Sequence, residues 1–283
     1  MQLIINADDF GMSETVNEAI VDGYKNGILS STCIMANMPA FQNAAEKLNS
    51  VEGIGLGVHL NIIEGKTILE QPKSNSRLYD ENGNFNNGFI QILLKSYNKD
   101  FMKEVEQEFR GQIEAVLKYT KPDHLDSHVH THGIPNIFKL VCKLAKEYEI
   151  PCVRTQYEHL YFDGNFKNFV NPSYYINLIK VALLNTFTII NRNTVKKYNL
   201  KTNDCVIGVG YTSMMNENTI EKGIKKVQNT NELLEVICHP DLNQNRTSNL
   251  REYNAVMNND LKTFILNKEI TSFKSIHLSC DRT

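Results

Sequence analysis

The sequence predicts an α/β protein folded as a single (β/α) barrel with seven or eight strands. The length of 283 residues lies in the range of one such barrel. Short β-rich runs alternate with helical patterns from end to end, which is typical of parallel strands joined by crossover helices. Polar side chains able to bind a metal follow several of these runs, as expected for the face of a barrel on which active sites assemble.

Seven predicted strands and one further candidate account for the barrel. They lie at 3–6, 31–36, 54–60, 124–128, 152–156, 205–209 and 234–239, with 273–278 as the eighth candidate. The first helix is predicted to begin after Ser13, a favourable N-cap, and to end at Gly27. Apolar residues three and four apart predict further helices over 101–116 and 135–148.

Two stretches interrupt this alternation, at about 63–100 and 157–203. Loops of this length in a compact fold usually act as lids or binding walls. We therefore treat residues 1–283 as one domain with two excursions. The second excursion contains the most apolar run of the chain, 176–190. This run is shorter than the roughly 20 apolar residues of a membrane span and contains Lys180, which predicts a buried or dimer-facing helix and favours a homodimer.

The composition argues against several classes of protein. Lys and Arg number 30 against 32 Asp and Glu, without a long basic block, so a nucleic-acid or anionic-membrane partner is not expected. The six cysteines are scattered without a CxxC pair and the first ten residues lack the features of a secretory signal, which predicts reduced thiols and a cytoplasmic location. A chain of this size buries enough surface to fold without a metal, so a bound metal would serve chemistry.

The residues that carry chemistry lie at the predicted strand ends. Asp8 and Asp9 follow the first strand, and His59 ends the third. His239 closes the seventh strand. The fourth strand carries a run of alternating polar residues, namely His124, Asp126, His128, His130 and His132. Alternate positions would line one side of a strand, and burying so many polar groups without a metal or another partner is costly.

These residues predict a metal site. Adjacent carboxylates after a strand repel each other unless a cation or a proton neutralises one of them. One carboxylate with two neutral imidazoles is a common facial arrangement that leaves coordination positions open. We therefore predict Asp9, His59 and His128 as ligands, with Asp8 leaving the strand on the other side and free to act as a base. Taken alone, the two aspartates would also fit a turn, and His59 a hydrogen-bonded core histidine.

Four segments carry a family resemblance, namely NADDFGMS (6–13), GLGVHLN (55–61), HLDSHVHTHGIPNI (124–137) and EVICHPD (235–241). In this order they resemble the YdjC-like carbohydrate deacetylases, the group that includes chitooligosaccharide deacetylase. The resemblance implies a distorted (β/α) barrel akin to the NodB-type polysaccharide deacetylases. It also implies removal of an N-acetyl group from an amino sugar or short oligosaccharide, and it places the metal positions of the family on Asp9, His59 and His128.

The resemblance further implies a cofactor and catalytic roles. Family members are usually magnesium-dependent, whereas two imidazole ligands would suit Zn²⁺, Co²⁺ or Mn²⁺ better. The ion would polarise the acetyl carbonyl and a bound water, the nucleophile, while Asp8 removes a proton from that water. By analogy with NodB-type enzymes, His239 is the candidate acid that protonates the leaving amine. Arg154 would hold Asp8 ionised through a bidentate pair, or else pair with solvent at a strand end.

The remaining polar residues of the run, Asp126, His130 and His132, are expected to orient the ligands or contact sugar hydroxyls. Because the chain has no Trp, stacking against a sugar would fall to aromatic residues of the second excursion, namely Tyr157, Tyr161, Phe162, Phe166, Tyr174 and Tyr175. Two other functions fit part of the pattern. A metallophosphoesterase acting on a sugar phosphate would need a second metal and more basic residues. A non-catalytic metal- or sugar-binding protein would have no need of Asp8.

Overall fold

The computed structural model describes residues 1–69 and 75–279 and shows an α/β fold around one curled parallel sheet. Seven strands stand in the order β5-β4-β3-β2-β1-β7-β6, and a short eighth strand pairs with the start of β1. The strands are β1 Gln2–Phe10, β2 Ser31–Ile34, β3 Gly55–Leu60, β4 His124–Ser127, β5 Cys152–Val153, β6 Cys205–Ile207, β7 Leu233–Cys238 and β8 Glu269–Ile270. The predicted fold class, a distorted (β/α) barrel, is confirmed.

Helices flank the sheet and connect its strands. They are α1 Glu14–Lys25, α2 Phe41–Lys47, α3 Phe89–Lys95, α4 Lys99–Leu117, α5 Pro135–Glu147, α6 Pro172–Tyr198, α7 Glu217–Val227, α8 Thr247–Val256, α9 Asn259–Ile265 and α10 Phe273–Ser279. As predicted, α1 begins after Ser13, whose hydroxyl accepts a hydrogen bond from the Val16 N–H. The apolar stripe of α4 is fully buried at Phe101, Val105 and Phe109. α4 thus turns toward the core the face that the periodicity indicated.

The barrel is distorted at the seam between β5 and β6. Only two residues of the predicted strand 152–156 form β5. Beyond them the Thr155 N–H donates to the Asn203 side chain, at 2.8 Å, rather than to a neighbouring strand. Three backbone hydrogen bonds nevertheless cross the seam, from Val206 N to Tyr157 O at 2.7 Å, from Val153 N to the Lys201 carbonyl at 3.0 Å and from Lys201 N to the Pro151 carbonyl at 2.9 Å. These bonds bring the ends of the curled sheet together.

The eighth predicted strand, 273–278, is wrong because this segment forms α10. Phe273 is fully buried, and its ring stacks on the His124 ring with centroids 4.2 Å apart. Ile276, three positions later, packs against the same apolar cluster as Phe273. Contacts three residues apart require a helix, whereas a strand would have turned the two side chains to opposite faces. The eighth strand is instead β8, a few residues earlier.

The second excursion contains α6, which extends well beyond the predicted run 176–190. By length and composition α6 is long and apolar enough to cross a membrane, so the expectation that it is too short is wrong. This is weak evidence for a span, because a core helix of a soluble protein passes the same test. One face of α6 is buried, whereas Ile176, Ile179 and Ile190 are 54%, 69% and 52% exposed.

Candidate functional site

The C-terminal ends of the strands bring the predicted site residues to one end of the barrel. His59, on β3, lies at the centre of the group and is buried. Its Nε2 atom lies 3.4 Å from Asp9 Oδ1 and 3.8 Å from Asp8 Oδ2, both on β1. Its Nδ1 atom lies 2.8 Å from Asp126 Oδ1, on β4. Residues more than 100 positions apart in sequence therefore meet around one imidazole.

A β-bulge turns both consecutive aspartates toward His59. The register of β1 against β2 shifts between Ala7 and Phe10, and Asp9 has a φ of 72°. A left-handed backbone costs a non-glycine residue about 1–3 kcal/mol and is often found at functional sites. The expectation that Asp8 leaves the strand on the side opposite Asp9 is wrong, because it assumed the regular alternation that the bulge removes.

The three predicted ligands lie close enough to share one ion. One donor atom each from Asp9, His59 and His128 can be chosen so that all lie within 4.8 Å of one another. Asp9 Oδ1 is 2.9 Å from His128 Nδ1. A carboxylate oxygen with two imidazole nitrogens fits a divalent transition ion, and Mg²⁺ would be held with fewer of its preferred oxygen ligands.

The electrostatics of this group favour a cation. Burial alone would lower the pKa of His59, but Asp126 and Asp8 outweigh it and raise that pKa to about 10. Likewise, Asp9 overcomes the effect of burial at His128 and raises its pKa to about 9. Burial would raise the pKa of Asp9, yet His128 and His59 hold it well below its ordinary value. The carboxylates therefore gather positive charge at the point where the three donors meet.

Arg154, the residue directly after β5, contacts several carboxylates of the site. Its side chain is fully buried, with Nη1 and Nη2 donating to Asp8 Oδ2 and Oδ1 at 3.0 and 2.8 Å. Nη1 also lies 2.7 Å from Asp126 Oδ2, and Nη2 donates to Glu235 Oε1 at 2.6 Å. Burial would raise the pKa of Asp8, but Arg154 and then His59 lower it, so that this carboxylate stays ionised. The alternative of an arginine paired with solvent is wrong.

The position of Arg154 limits the number of metal ions that the residues around His59 can hold. A second set of donors, from Asp8, Cys33, His59 and Asp126, also lies within 4.8 Å. The Arg154 guanidinium already contacts Asp8 and Asp126, the two carboxylates of that set. A second cation there would be repelled by the guanidinium. The described residues around His59 therefore favour one ion rather than the pair of a two-metal phosphoesterase.

The histidine-rich run does not line one strand face, contrary to the prediction. β4 ends at Ser127, and residues 128–133 form a 3-10 turn in which Val129 and His130 have φ values of 52° and 57°. His132 turns back into the fold, where Nδ1 accepts from Ser127 Oγ at 2.6 Å and Nε2 donates to the Arg154 carbonyl at 3.1 Å. Burial lowers the pKa of His132 to about 3, so its ring is neutral.

The other residues of the run occupy different surroundings. His130 is partly buried, and burial lowers its pKa to about 3. His124 lies deeper in the barrel against Phe273, with Nδ1 2.6 Å from Asp123 Oδ1. Asp126 contacts His59 directly, as expected for a residue that orients a ligand. The alternating pattern thus indicates a functional region but does not predict the backbone conformation of that region.

His239 directly follows β7 and faces Asp8. Its side chain is 29% exposed, and Nε2 lies 3.9 Å from Asp8 Oδ2. The other ring nitrogen, Nδ1, lies 3.4 Å from Glu252 Oε2, which also accepts the His239 backbone N–H at 2.6 Å. Burial would lower the pKa of His239, but Glu252 outweighs it and raises that pKa to about 9. The imidazole is therefore protonated at neutral pH.

Sequence reasoning missed four residues of this site, namely Cys33, Glu64, Glu235 and Glu252. Glu235 carried a signal, because an acid in the apolar strand LLEVIC must be paired when it is buried. Cys33 belongs to the scattered cysteines that are predicted only to be reduced thiols, and its Sγ lies 3.2 Å from Asp8 Oδ1. Glu64 and Glu252 lie in a loop and a helix where the local sequence gives no signal.

Of the aromatic residues predicted to stack on a sugar, Tyr174 is buried, which excludes it as a surface platform. Phe162 and Phe166 are exposed and contact each other, with ring centroids 5.1 Å apart. Phe162 also stacks on Phe169 at 5.2 Å. The aromatic side chains of this segment therefore cover one another in part.

A barrel whose strand ends gather a carboxylate and two imidazoles around one point belongs to the class of (β/α)-barrel proteins with a candidate metal centre. Residues 2–267 match the YdjC-like protein family, and the chain belongs to that family. The resemblance seen in the four sequence motifs is thereby confirmed.

Several curated relatives carry the name carbohydrate deacetylase. The chain is 37% identical over 152 residues to the carbohydrate deacetylase of Clostridium beijerinckii, a match covering 53% of this chain and 59% of the relative. It is 36% identical over 159 residues to that of Geobacillus stearothermophilus, covering 55% and 61%. The matched part thus spans about three fifths of the length of these relatives.

A solved structure from Enterococcus faecalis V583 supports the fold over the whole chain. It aligns with a TM-score of 0.73 and 23% identity, covering 97% of this chain and 98% of the other. Cellobiose-phosphate cleavage has been suggested for that protein. At this identity the similarity extends to the fold alone.

Proposed function

We propose that the protein is a metal-dependent carbohydrate deacetylase, a hydrolase that removes the N-acetyl group from an acetylated amino sugar or short oligosaccharide. The observation that carries the proposal is the meeting of Asp9, His59 and His128 beside an ionised Asp8 and a protonated His239. Amide hydrolysis needs a base for the attacking water and an acid for the leaving amine. The names of the curated relatives support the same activity.

The base role falls on one oxygen of Asp8. Oδ1 accepts hydrogen bonds from Arg154 Nη2 and Asn6 Nδ2 and a weaker one from the Cys33 thiol, at 2.8, 2.7 and 3.2 Å. Oδ2 accepts from Arg154 Nη1 and faces both His59 and His239. Oδ2 is thus the less occupied oxygen and the one directed at the site. We infer that it takes the proton from the attacking water.

The acid role falls on His239. Its Nε2–H would protonate the sugar nitrogen as the C–N bond breaks, which releases acetate and a free amine. Held by Asp9, His59 and His128, a divalent ion would polarise the acetyl carbonyl and lower the pKa of a water. We propose Mg²⁺ from the family resemblance, with Zn²⁺, Co²⁺ and Mn²⁺ as ions that the imidazoles would also suit.

The decisive test is the product released from a panel of sugars. After metal replacement, we expect the native chain to release acetate and amine in equal amounts from N-acetylated mono- or disaccharides. Phosphorylated sugars belong in the panel because a phosphoesterase is the rival function. If no member yields acetate while sugar phosphates yield phosphate, the deacetylase proposal is wrong. A chain that binds metal and sugars without either product would be a binding protein.

We further propose that the protein is a homodimer that packs through the exposed face of α6. Ile176, Ile179 and Ile190 lie at helical spacing on that face, and their exposure leaves an apolar stripe that no described part of the chain covers. Ile179→Asp is expected to convert the dimer to a monomer, because the aspartate would place an unpaired charge in the apolar interface. Light scattering measures this change in molar mass. Asn193→Asp, an exposed polar position on α6, is the control. A native chain that is monomeric at all concentrations would contradict the proposal.

A further inference from the structure

We propose that Glu64 is a positioning residue of the metal centre, which fixes the His128 ring so that Nδ1 faces Asp9, the carboxylate that would share the ion with it. The inference rests on the proposed function, since it presumes that His128 binds a metal. Glu64 Oε2 lies 3.2 Å from His128 Nε2, and the Glu64 side chain is 53% exposed at the mouth of the site.

The two histidines are held in matching ways. His59 directs Nε2 toward Asp9 and Nδ1 toward Asp126, at 3.4 and 2.8 Å. His128 directs Nδ1 toward Asp9 and Nε2 toward Glu64, at 2.9 and 3.2 Å. Each imidazole thus has one nitrogen on the shared carboxylate and the other on a separate outer carboxylate. Metal-binding imidazoles usually donate their second N–H to such a partner, which sets the ring orientation and raises the basicity of the ligand nitrogen.

The loop after β3 is built to present Glu64. Asn61 Oδ1 accepts the backbone N–H groups of Ile63 and Glu64 at 3.0 and 3.1 Å, and Asn61 Nδ2 donates to the Glu64 carbonyl at 2.7 Å. Asn37 Nδ2 donates to the same carbonyl at 3.2 Å. Gln112, on α4, pairs with both backbone groups of Asn61 at 2.9 and 2.6 Å. The start of the first excursion therefore has a defined role beside the metal centre.

The two outer carboxylates differ in their surroundings. Asp126 is fully buried and pairs with Arg154, which also contacts Asp8 and Glu235. Its removal would disturb this group, the Arg154 cluster, as well as His59. Glu64 is half exposed, and its side chain lies outside the Arg154 cluster. Removing the Glu64 carboxylate should therefore act on the metal centre through His128 with little effect on the stability of the barrel.

The test is the affinity of the metal-free protein for Mn²⁺ and Co²⁺, measured by calorimetry. Glu64→Ala is expected to weaken binding by about 10- to 100-fold. Glu64→Gln should recover part of the loss, because its amide oxygen can still accept the Nε2–H. Glu81→Ala, an exposed glutamate of the same excursion, is the matched control and should bind as the native chain does. The melting temperatures of the metal-free variants should agree.

The Co²⁺ absorption spectrum gives a second readout, since a freely turning His128 ring would alter the ligand field. If Glu64→Ala binds both ions within twofold of Glu81→Ala and with an unchanged spectrum, the inference about Glu64 is overturned. His128→Ala separates this failure from that of the proposed function. If only His128→Ala loses metal binding, the proposed metal centre stands and only the proposed role of Glu64 is wrong. If His128→Ala binds metal as tightly as the native chain, both the metal centre and the role of Glu64 are wrong.

Discussion

Asp8→Asn is expected to lower kcat for acetate release by about 10²- to 10⁴-fold, the usual contribution of a general base. The amide cannot take a proton from water at neutral pH, whereas the native carboxylate is kept ionised by Arg154 and His59. The variant should still bind a metal, because Asp9 rather than Asp8 completes the three-donor set with the two histidines, but with a lower affinity, because a buried negative charge beside that set is lost. The measurement is kcat with saturating metal, together with the metal affinity of the same preparation.

A matched control is needed because Asp8 also pairs with a buried arginine. Asp123→Asn changes another buried aspartate, one that precedes β4 at the opposite end of the barrel and accepts the Leu56 N–H at 2.8 Å. It should lower the melting temperature without a comparable loss of kcat. A folded, metal-bound Asp8→Asn variant with kcat within threefold of the native value would assign the base to another group.

The charges around Asp8 give a physical reason for a divalent ion. Asp8, Asp9 and Asp126 are buried with pKa values held below the ordinary range, and Arg154 is the one guanidinium that contacts this group among the described residues. These carboxylates outnumber the one guanidinium, which the buried Glu235 also shares, and they leave uncompensated negative charges in a place where water cannot screen them. In the absence of an ion, protonated imidazoles at His59 and His128 would compensate them. A divalent cation supplies the same charge at the same point.

The sequence was sufficient to predict the three-donor group because each donor follows a recognisable strand. Asp9 and His59 lie near the C-terminal ends of largely apolar strands and His128 directly follows β4, and a parallel sheet brings these ends to one face. Arg154 could be paired with Asp8 for the same reason. Strand periodicity and topology therefore carried most of the information about the site.

The parts that failed depend on local backbone conformations that periodicity does not encode. The bulge at Asp9 and the 3-10 turn after Ser127 both use left-handed residues, which no side-chain alternation reveals. The sequence of α10 predicts a strand because a short apolar run fits either period. Glu64 and Glu252 reach the site through tertiary packing of a loop and a helix. Only the distance from Glu64 to His128 and that from Glu252 to His239 indicate what these two glutamates do.

His239→Ala is expected to lower kcat by about 10²- to 10⁴-fold, because the leaving amine would depart without a proton donor. The same role predicts the alkaline limb of the pH profile. The acid works while it is protonated, so activity should fall as the pH rises through its pKa, which Glu252 raises to about 9. In Glu252→Gln, burial would act without that compensation and would lower the pKa of His239. The alkaline limb should therefore move to lower pH.

The profile of kcat between pH 6 and 10, roughly the window in which a histidine with this pKa titrates, distinguishes this role from a structural one. Glu252→Gln keeps an oxygen that can accept the His239 backbone N–H, so the local fold is preserved while the charge is lost. Glu221→Gln, on the outer surface of α7, is the control and should leave the limb in place. Two results together would contradict this role: an alkaline limb that stays at the same pH in Glu252→Gln, and an undiminished kcat in His239→Ala. The leaving amine would then receive its proton from another group.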